Sequence, residues 1–266
     1  MTSISRSPNR SSYLHDISAT VPYNFAPPPD WGTVIAQHIN LESQREIPRT
    51  MDLGCGPGQF LEALSALAPG CVLGVDLSTA MLKQANENVG AKFPLLQADA
   101  NSLPFSAAFF DLILVRYLLH HLENPLRVVS EAARCLKRGG YIVVETSDPE
   151  WLMTQPVYLQ FPSIGVPDLR RWPTIRQVAD WMAACSIRFQ SSSQIHLLRD
   201  EVPKKQYLER LRLWQRDGGG TSFRRQFDEE QRQQFVHERA RELAREDDAY
   251  CVPIFTDSVV LVGERV

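Results

Sequence analysis

Residues 52–58 read DLGCGPG, an aspartate followed by glycines at every second position, Gly54, Gly56 and Gly58. Glycine has no Cβ and adopts positive φ without strain, so this spacing lets backbone pass close beneath a ligand. Two more aspartates close apolar runs downstream, Asp76 in GVDLS and Asp99 in QADANS, and the pair His120–His121 follows a further run, FDLILV. Carboxylates beside a glycine turn accept hydrogen bonds from hydroxyls and amines. Imidazoles that titrate near neutrality can move protons. The set describes a small-ligand site with polar partners supplied by successive strand ends.

The turn does not suit phosphate. A dinucleotide fingerprint needs G-x-G-x-x-G, whose third glycine permits close helix–strand packing. Counting from Gly54 puts Gln59 at that position, and counting from Gly56 puts Leu61 there. The Gly-Lys-Ser/Thr of a phosphate-binding P-loop is absent as well.

These residues need a scaffold that brings strand ends together, and the chain between about 49 and 146 supplies one. RTMDL, CVLGVDL, FPLLQAD, FDLILV and YIVVET read as strands, separated by amphipathic stretches. Ser78 is placed to cap a helix that Gly90 stops, and Asn124 caps another whose first turn holds Pro125 and which is expected to run to LKRGG. Strand and helix in alternation predict a parallel sheet covered on both faces. After Asp148 the rhythm breaks into a proline- and aromatic-rich stretch. Thr174 to Gln177 then fits a capping box for a helix through Ala184. IRFQSSSQIHLL reads as a sixth strand, charged helices follow near 201–216 and 228–245, and SVVLVGERV closes the chain as a seventh strand.

The expected organisation is a disordered tail over 1–20 and one domain over 21–266. Its ligand-binding core lies at about 45–147, with cap segments at about 148–173 and 200–249. The Ser/Arg-rich start suits a disordered tail better than an organelle-targeting segment. Of 266 residues, 44% are hydrophobic and 22% charged, and the net charge is −3 with a pI of about 6.1. This acidic balance argues against nucleic acid as a partner held by phosphate neutralisation. No apolar run approaches a membrane span, so no membrane partner is expected. Five dispersed cysteines with no CxxC read as free thiols in a reducing compartment, and the protein is expected to be cytoplasmic, a monomer or homodimer.

The pattern D-x-G-x-G-x-G led by Asp52, with GVDLS, QADANSLPF, FDLILVRYLLHHLENP and LKRGGYIVVET following in order, resembles class I S-adenosylmethionine-dependent methyltransferases of the small-molecule type. The resemblance covers about 45–147. It implies a Rossmann-like, seven-stranded, mostly parallel α/β sheet with an antiparallel last strand and helices on both faces. It also implies S-adenosyl-L-methionine as cofactor and S-adenosyl-L-homocysteine as product. Asp76 then stands where the family accepts both ribose hydroxyls, and Asp99 where it contacts the adenine amino group. Asp52 lies near the expected α-amino group. Gly54, Cys55, Gly56, Gly58, Leu77, Met81, Ala100 and Arg116 complete the cofactor-binding set that the resemblance implies, with Cys55 read as a small loop residue and not a nucleophile.

The acceptor side is less specified. Methyl transfer from a sulfonium is chiefly a matter of orientation, with His120 or His121 as a candidate general base. Arg116 has two readings, a partner for a ligand carboxylate or a lock on Glu145 or Asp148. Tyr23, Trp31, Tyr117, His121, Trp151 and Tyr158 are expected to line the acceptor site, and the aromatics of the segment after strand five to form a lid over it. With Arg116 ending strand four where an aspartate would be needed, a magnesium site is unsupported, and metal independence is expected. The expected function is methyl transfer to an N or O atom of a small, rather apolar metabolite. The alternatives are a non-catalytic binding or regulatory protein on the same fold, and a methyltransferase acting on RNA or protein.

Overall fold

The computed structural model describes residues 31–37, 39, 49–67, 70–153, 170–217 and 227–266. Seven strands form one sheet in the order β3-β2-β1-β4-β5-β7-β6. They are β1 (Arg49–Leu53), β2 (Cys71–Asp76), β3 (Leu95–Gln97), β4 (Phe110–Arg116), β5 (Leu136–Thr146), β6 (Ile187–Pro203) and β7 (Cys251–Arg265). The first five are parallel neighbours, and β7 runs antiparallel to both β5 and β6. The order reverses between β1 and β4, so the crevice at their carboxyl ends is the topological switch point, where open α/β sheets hold ligands.

Among the described residues the helices are α1 (Trp31–Ala36), α2 (Leu61–Leu67), α3 (Thr79–Val89), α4 (Pro125–Cys135), α5 (Pro149–Leu152), α6 (Ile175–Ala184), α7 (Lys204–Asp217) and α8 (Glu229–Leu243). The expected caps form. Ser78 accepts from the Met81 N–H, Asn124 accepts from the Arg127 N–H, and Thr174 with Gln177 closes a capping box. Asp228 and Gln231 close another at the start of α8.

The sheet is buried on both faces, as its parallel strands require. One core joins Met51, Val75, Ile113, Val115, Ile142 and Val144 to α4 and α6, and the other joins Leu112, Leu114, Val143 and Val260 to α1 and α2. The helix expected to reach LKRGG ends at Cys135. Leu136 instead pairs with Phe110 and opens β5, and the ladder resumes at Leu112↔Tyr141 after a bulge. Gly139 has φ +77, and a Cβ on Gly140 would stand 2.9 Å from the Asp111 carbonyl, so the two glycines permit this bulge.

The last hairpin is longer than expected. β7 pairs with β5 only over Val259–Glu264, whereas its pairing with β6 continues to Pro203↔Cys251. This two-stranded arm carries α7 and α8, which share a satellite core of Leu211, Phe227 and Val236 with Met153, Tyr207, Leu208 and Phe235 packed against it.

Candidate functional site

The glycine turn is held to the end of β2 by backbone. The N–H groups of Gly54 and Cys55 both donate to the Val75 carbonyl, at 2.7 and 3.0 Å. All three glycines have positive φ: +79 at Gly54, +53 at Gly56 and +76 at Gly58. Their surroundings differ. A Cβ on Gly54 would meet the Leu118 side chain at 3.1 Å, and one on Gly58 would meet the Ala85 Cβ at 3.0 Å. A Cβ on Gly56 would meet nothing within 4 Å. Gly54 and Gly58 are therefore set by conformation and packing together, and Gly56 by conformation beside open space.

Asp76 faces that open position. Its Oδ2 accepts from the Gly56 N–H at 2.8 Å and its Oδ1 from the Ser78 N–H at 2.8 Å. Each oxygen can accept a second hydrogen bond, so the carboxylate is oriented and still has capacity for a diol. Burial raises the Asp76 pKa, and these backbone donors pull it back. Next to it Leu77 is 50% exposed, an apolar side chain on the rim of the crevice. Met81 is half-buried at the start of α3.

At the end of β3, Asp99 is exposed and makes a local turn, its Oδ1 accepting from the Asn101 N–H at 2.8 Å and Nδ2 at 2.9 Å. Its Oδ2 makes no hydrogen bond among the described residues. Ala100, half-buried, packs against the core beside it. Asp52 is nearly fully buried, and burial pushes its pKa up to about 7 against the opposing charge of Arg116, with Asp76 and Glu145 adding to the rise. Cys55 is buried, with its thiol pushed up by burial and by Asp52 and Asp76, so it is not a thiolate nucleophile.

Arg116 forms the lock on Glu145. β4 and β5 pair Arg116 with Glu145, and the Arg116 Nε donates to Glu145 Oε2 at 2.7 Å. The guanidinium lies 3.4 Å over the Phe60 ring. Glu145 also accepts from Trp31 Nε1 at 2.9 Å and from Ser258 Oγ at 3.0 Å. Trp31, expected at the acceptor site, is 0% exposed and spends its ring on the core and on an edge contact with Phe60. Ser258, Phe60 and Ser147 were not anticipated; none carries a sequence signal of its own.

Beyond β4, Tyr117 takes φ +47, a strained conformation for a bulky residue. Its hydroxyl bonds Ser258 and Ser147, and burial pushes it up to about 12. A short 3-10 turn, Leu119–His121, follows. His120 is 6% exposed, stacked on Trp172 with ring centroids 3.6 Å apart and tilted against His121 at 3.9 Å, and its Nδ1 has no hydrogen-bond partner among the described residues. Burial, then the neighbouring His121 and Arg171, lowers its pKa well below the ordinary value, and burial with Arg171 takes His121 to about 4. Both rings are neutral at physiological pH. Trp172 also meets Tyr117 edge-on, 5.8 Å away. Tyr23 and Tyr158 lie outside the described residues, and Trp151 is placed only as part of α5. Among the described residues, no cluster of three or more His, Cys, Asp or Glu could hold a metal ion, and no helix is long and apolar enough to cross a membrane.

A sheet of this order with an antiparallel β7, a glycine turn after β1 and an oriented acid after β2 defines a Rossmann-like methyltransferase fold. Residues 51–144 match the family model described as a methyltransferase domain. Over 105 residues, 38% of the chain, it is 37% identical to a malonyl-(acyl-carrier protein) O-methyltransferase of Legionella pneumophila, covering 37% of that protein. Over 145 residues, 52% of the chain, it is 32% identical to a demethylmenaquinone methyltransferase of Lactiplantibacillus plantarum, covering 60% of it. The match thus spans less than two thirds of either relative. The fold of the YcgJ protein of Bacillus subtilis superposes with a TM-score of 0.57 at 18% identity, over 88% of this chain and 97% of that one. Residues 51–144 thus carry the match to a methyltransferase domain, and over that part the chain is similar to S-adenosylmethionine-dependent methyltransferases of class I.

Proposed function

We propose that this protein transfers a methyl group from S-adenosylmethionine to an N or O atom of a small, rather apolar acceptor, without a metal ion. The observation that carries the cofactor half is the Gly56–Asp76 arrangement. An oriented, partly satisfied carboxylate faces a glycine that leaves open space, as an adenosyl ribose laid against backbone needs. Asp76 would accept the ribose hydroxyls, Leu77 and Met81 would pack against the adenine, and the free oxygen of Asp99 would accept from its amino group. Asp52 would receive the α-ammonium. When bound, S-adenosylmethionine supplies an electrophilic methyl group on a sulfonium.

The remaining work falls to the chain, and it is mainly orientation. Tyr117, His120, His121 and Trp172 would form the acceptor wall, with the α7–α8 cap beyond Met153 excluding water. An imidazole lowered to about 4 beside Arg171 is poorly matched to proton abstraction near neutrality. His120 and His121 are therefore read as shaping groups and hydrogen-bond acceptors, and the acceptor as a nucleophile that needs little help in losing a proton. The two relatives carry names with different acceptors, so they do not single one out for this chain. Calorimetric titration with S-adenosylhomocysteine tests the cofactor half: saturable one-site binding is expected, and an absence of binding would contradict it.

A further inference from the structure

The Arg116 guanidinium is fixed on two sides. Its face rests on Phe60 at 3.4 Å, and its Nε edge is held by Glu145 at 2.7 Å. Glu145 is itself immobilised, because Trp31 donates to the oxygen that Arg116 uses and Ser258 donates to the other. It is 1% exposed, and its three donors come from α1, β4 and β7. The Tyr117 N–H donates to its backbone carbonyl at 2.9 Å, so side chain and main chain of one residue brace the exit of β4.

A buried carboxylate met by three donors is expensive to desolvate and is weak evidence for stability alone. What it achieves here is geometric. Neither Nη of Arg116 has an acceptor among the described residues, and the side chain keeps 19% exposure. Asp52, on the adjacent strand β1, presents an acid near enough for Arg116 to oppose the rise in its pKa. A cation with free donors and a buried acid, at neighbouring strand ends, complement a ligand group bearing both a carboxylate and an ammonium.

We propose that Glu145 is a positioning residue that presents the Nη edge of Arg116 to the carboxylate of a bound amino-acid group, so that the site selects adenosyl ligands with an intact α-amino acid over those without one. The inference rests on the adenosyl-binding reading above. S-adenosylhomocysteine and 5′-methylthioadenosine share the adenosyl thioether and differ in the amino-acid end.

Calorimetry with both ligands tests it. The native protein should bind S-adenosylhomocysteine at least tenfold more tightly than methylthioadenosine. Glu145→Gln should reduce that ratio tenfold or more by weakening the first ligand while leaving the second unchanged. Should Glu145→Gln fold poorly, the double variant Glu145→Gln/Arg116→Met removes both partners of the buried ion pair together; it should bring the ratio close to one. Equal weakening of both ligands, or an unchanged ratio in a folded variant, would overturn the proposal. Failure of the native protein to bind either ligand would instead overturn the adenosyl reading and this inference with it.

Discussion

The Gly56 N–H donates to Asp76 Oδ2 at 2.8 Å, tying the middle of the glycine turn to the end of β2. The bond crosses from the first βα unit to the second, and it orients the carboxylate without exhausting it. The outer glycines of DLGCGPG and the middle one thereby serve different purposes. Gly54 and Gly58 pack against Leu118 and Ala85, and Gly56 keeps a surface clear.

That division can be measured. Gly56→Ala should cost about 1 kcal/mol for placing a side chain at positive φ, while lowering affinity for S-adenosylhomocysteine tenfold or more. Gly58→Ala pays the same conformational cost and also crowds Ala85 at 3.0 Å, so it should destabilise more, by about 2–3 kcal/mol. Denaturant melts and calorimetry on the two variants separate these effects. A larger stability loss in Gly56→Ala than in Gly58→Ala would contradict the assignment.

Asp52 makes a pH prediction. Its folded pKa of about 7 lies above the ordinary 3.8, so the folded state holds a proton that the unfolded state releases. Its contribution therefore favours folding at low pH and is lost as pH rises from about 4 through 7. Asp52→Asn should stabilise the free protein at pH 8, by up to about 4 kcal/mol, with the gain shrinking towards pH 4. A ligand ammonium needs the ionised carboxylate. Affinity of the native protein for S-adenosylhomocysteine should thus fall as pH drops from 7 to 5, and Asp52→Asn should bind weakly with no such slope. A native affinity flat across that range would contradict the role given to Asp52.

The histidines carry the opposite sign. His121 falls to about 4 in the folded state, from an ordinary 6.5, so folding disfavours its protonated form. The stability this contributes is present above pH 6.5 and is lost as pH falls towards 4. His121→Gln should flatten the acid limb of a stability–pH profile while the Asp52 contribution runs the other way. The same variant should keep S-adenosylhomocysteine affinity within about threefold, since His121 is assigned to the acceptor wall. A steep loss of that affinity would place His121 against the cofactor instead.

The parts of this site that follow from local chemistry were legible in the sequence. The glycine spacing, the acids closing β2 and β3, and the caps at Ser78, Asn124 and Thr174 each need only a few neighbouring residues to declare themselves. The Glu145 hub was not legible. Its donors Trp31, Arg116 and Ser258 stand 114, 29 and 113 positions away, and only the sheet order brings them together. Trp31 read as a site aromatic because an exposed tryptophan and a buried one look alike in sequence. The end of α4 was misplaced because LKRGG suits a helix stop; the Leu136↔Phe110 pairing across the bulge decides the outcome, and it is tertiary. Tyr23 and Tyr158 lie outside the described residues.

The central claim is that the Gly56–Asp76 cradle holds an adenosyl ligand, and titration of S-adenosylhomocysteine into the native protein and Asp76→Asn tests it most directly. Asp76→Asn keeps the size of the side chain and replaces one acceptor oxygen by an amide donor. The native protein should bind one equivalent, and the variant should retain its fold and lose affinity by tenfold to a hundredfold, as expected for charge-assisted hydrogen bonds of about 1.5–3 kcal/mol. No binding by the native protein, or equal affinity in a folded Asp76→Asn variant, would contradict the claim.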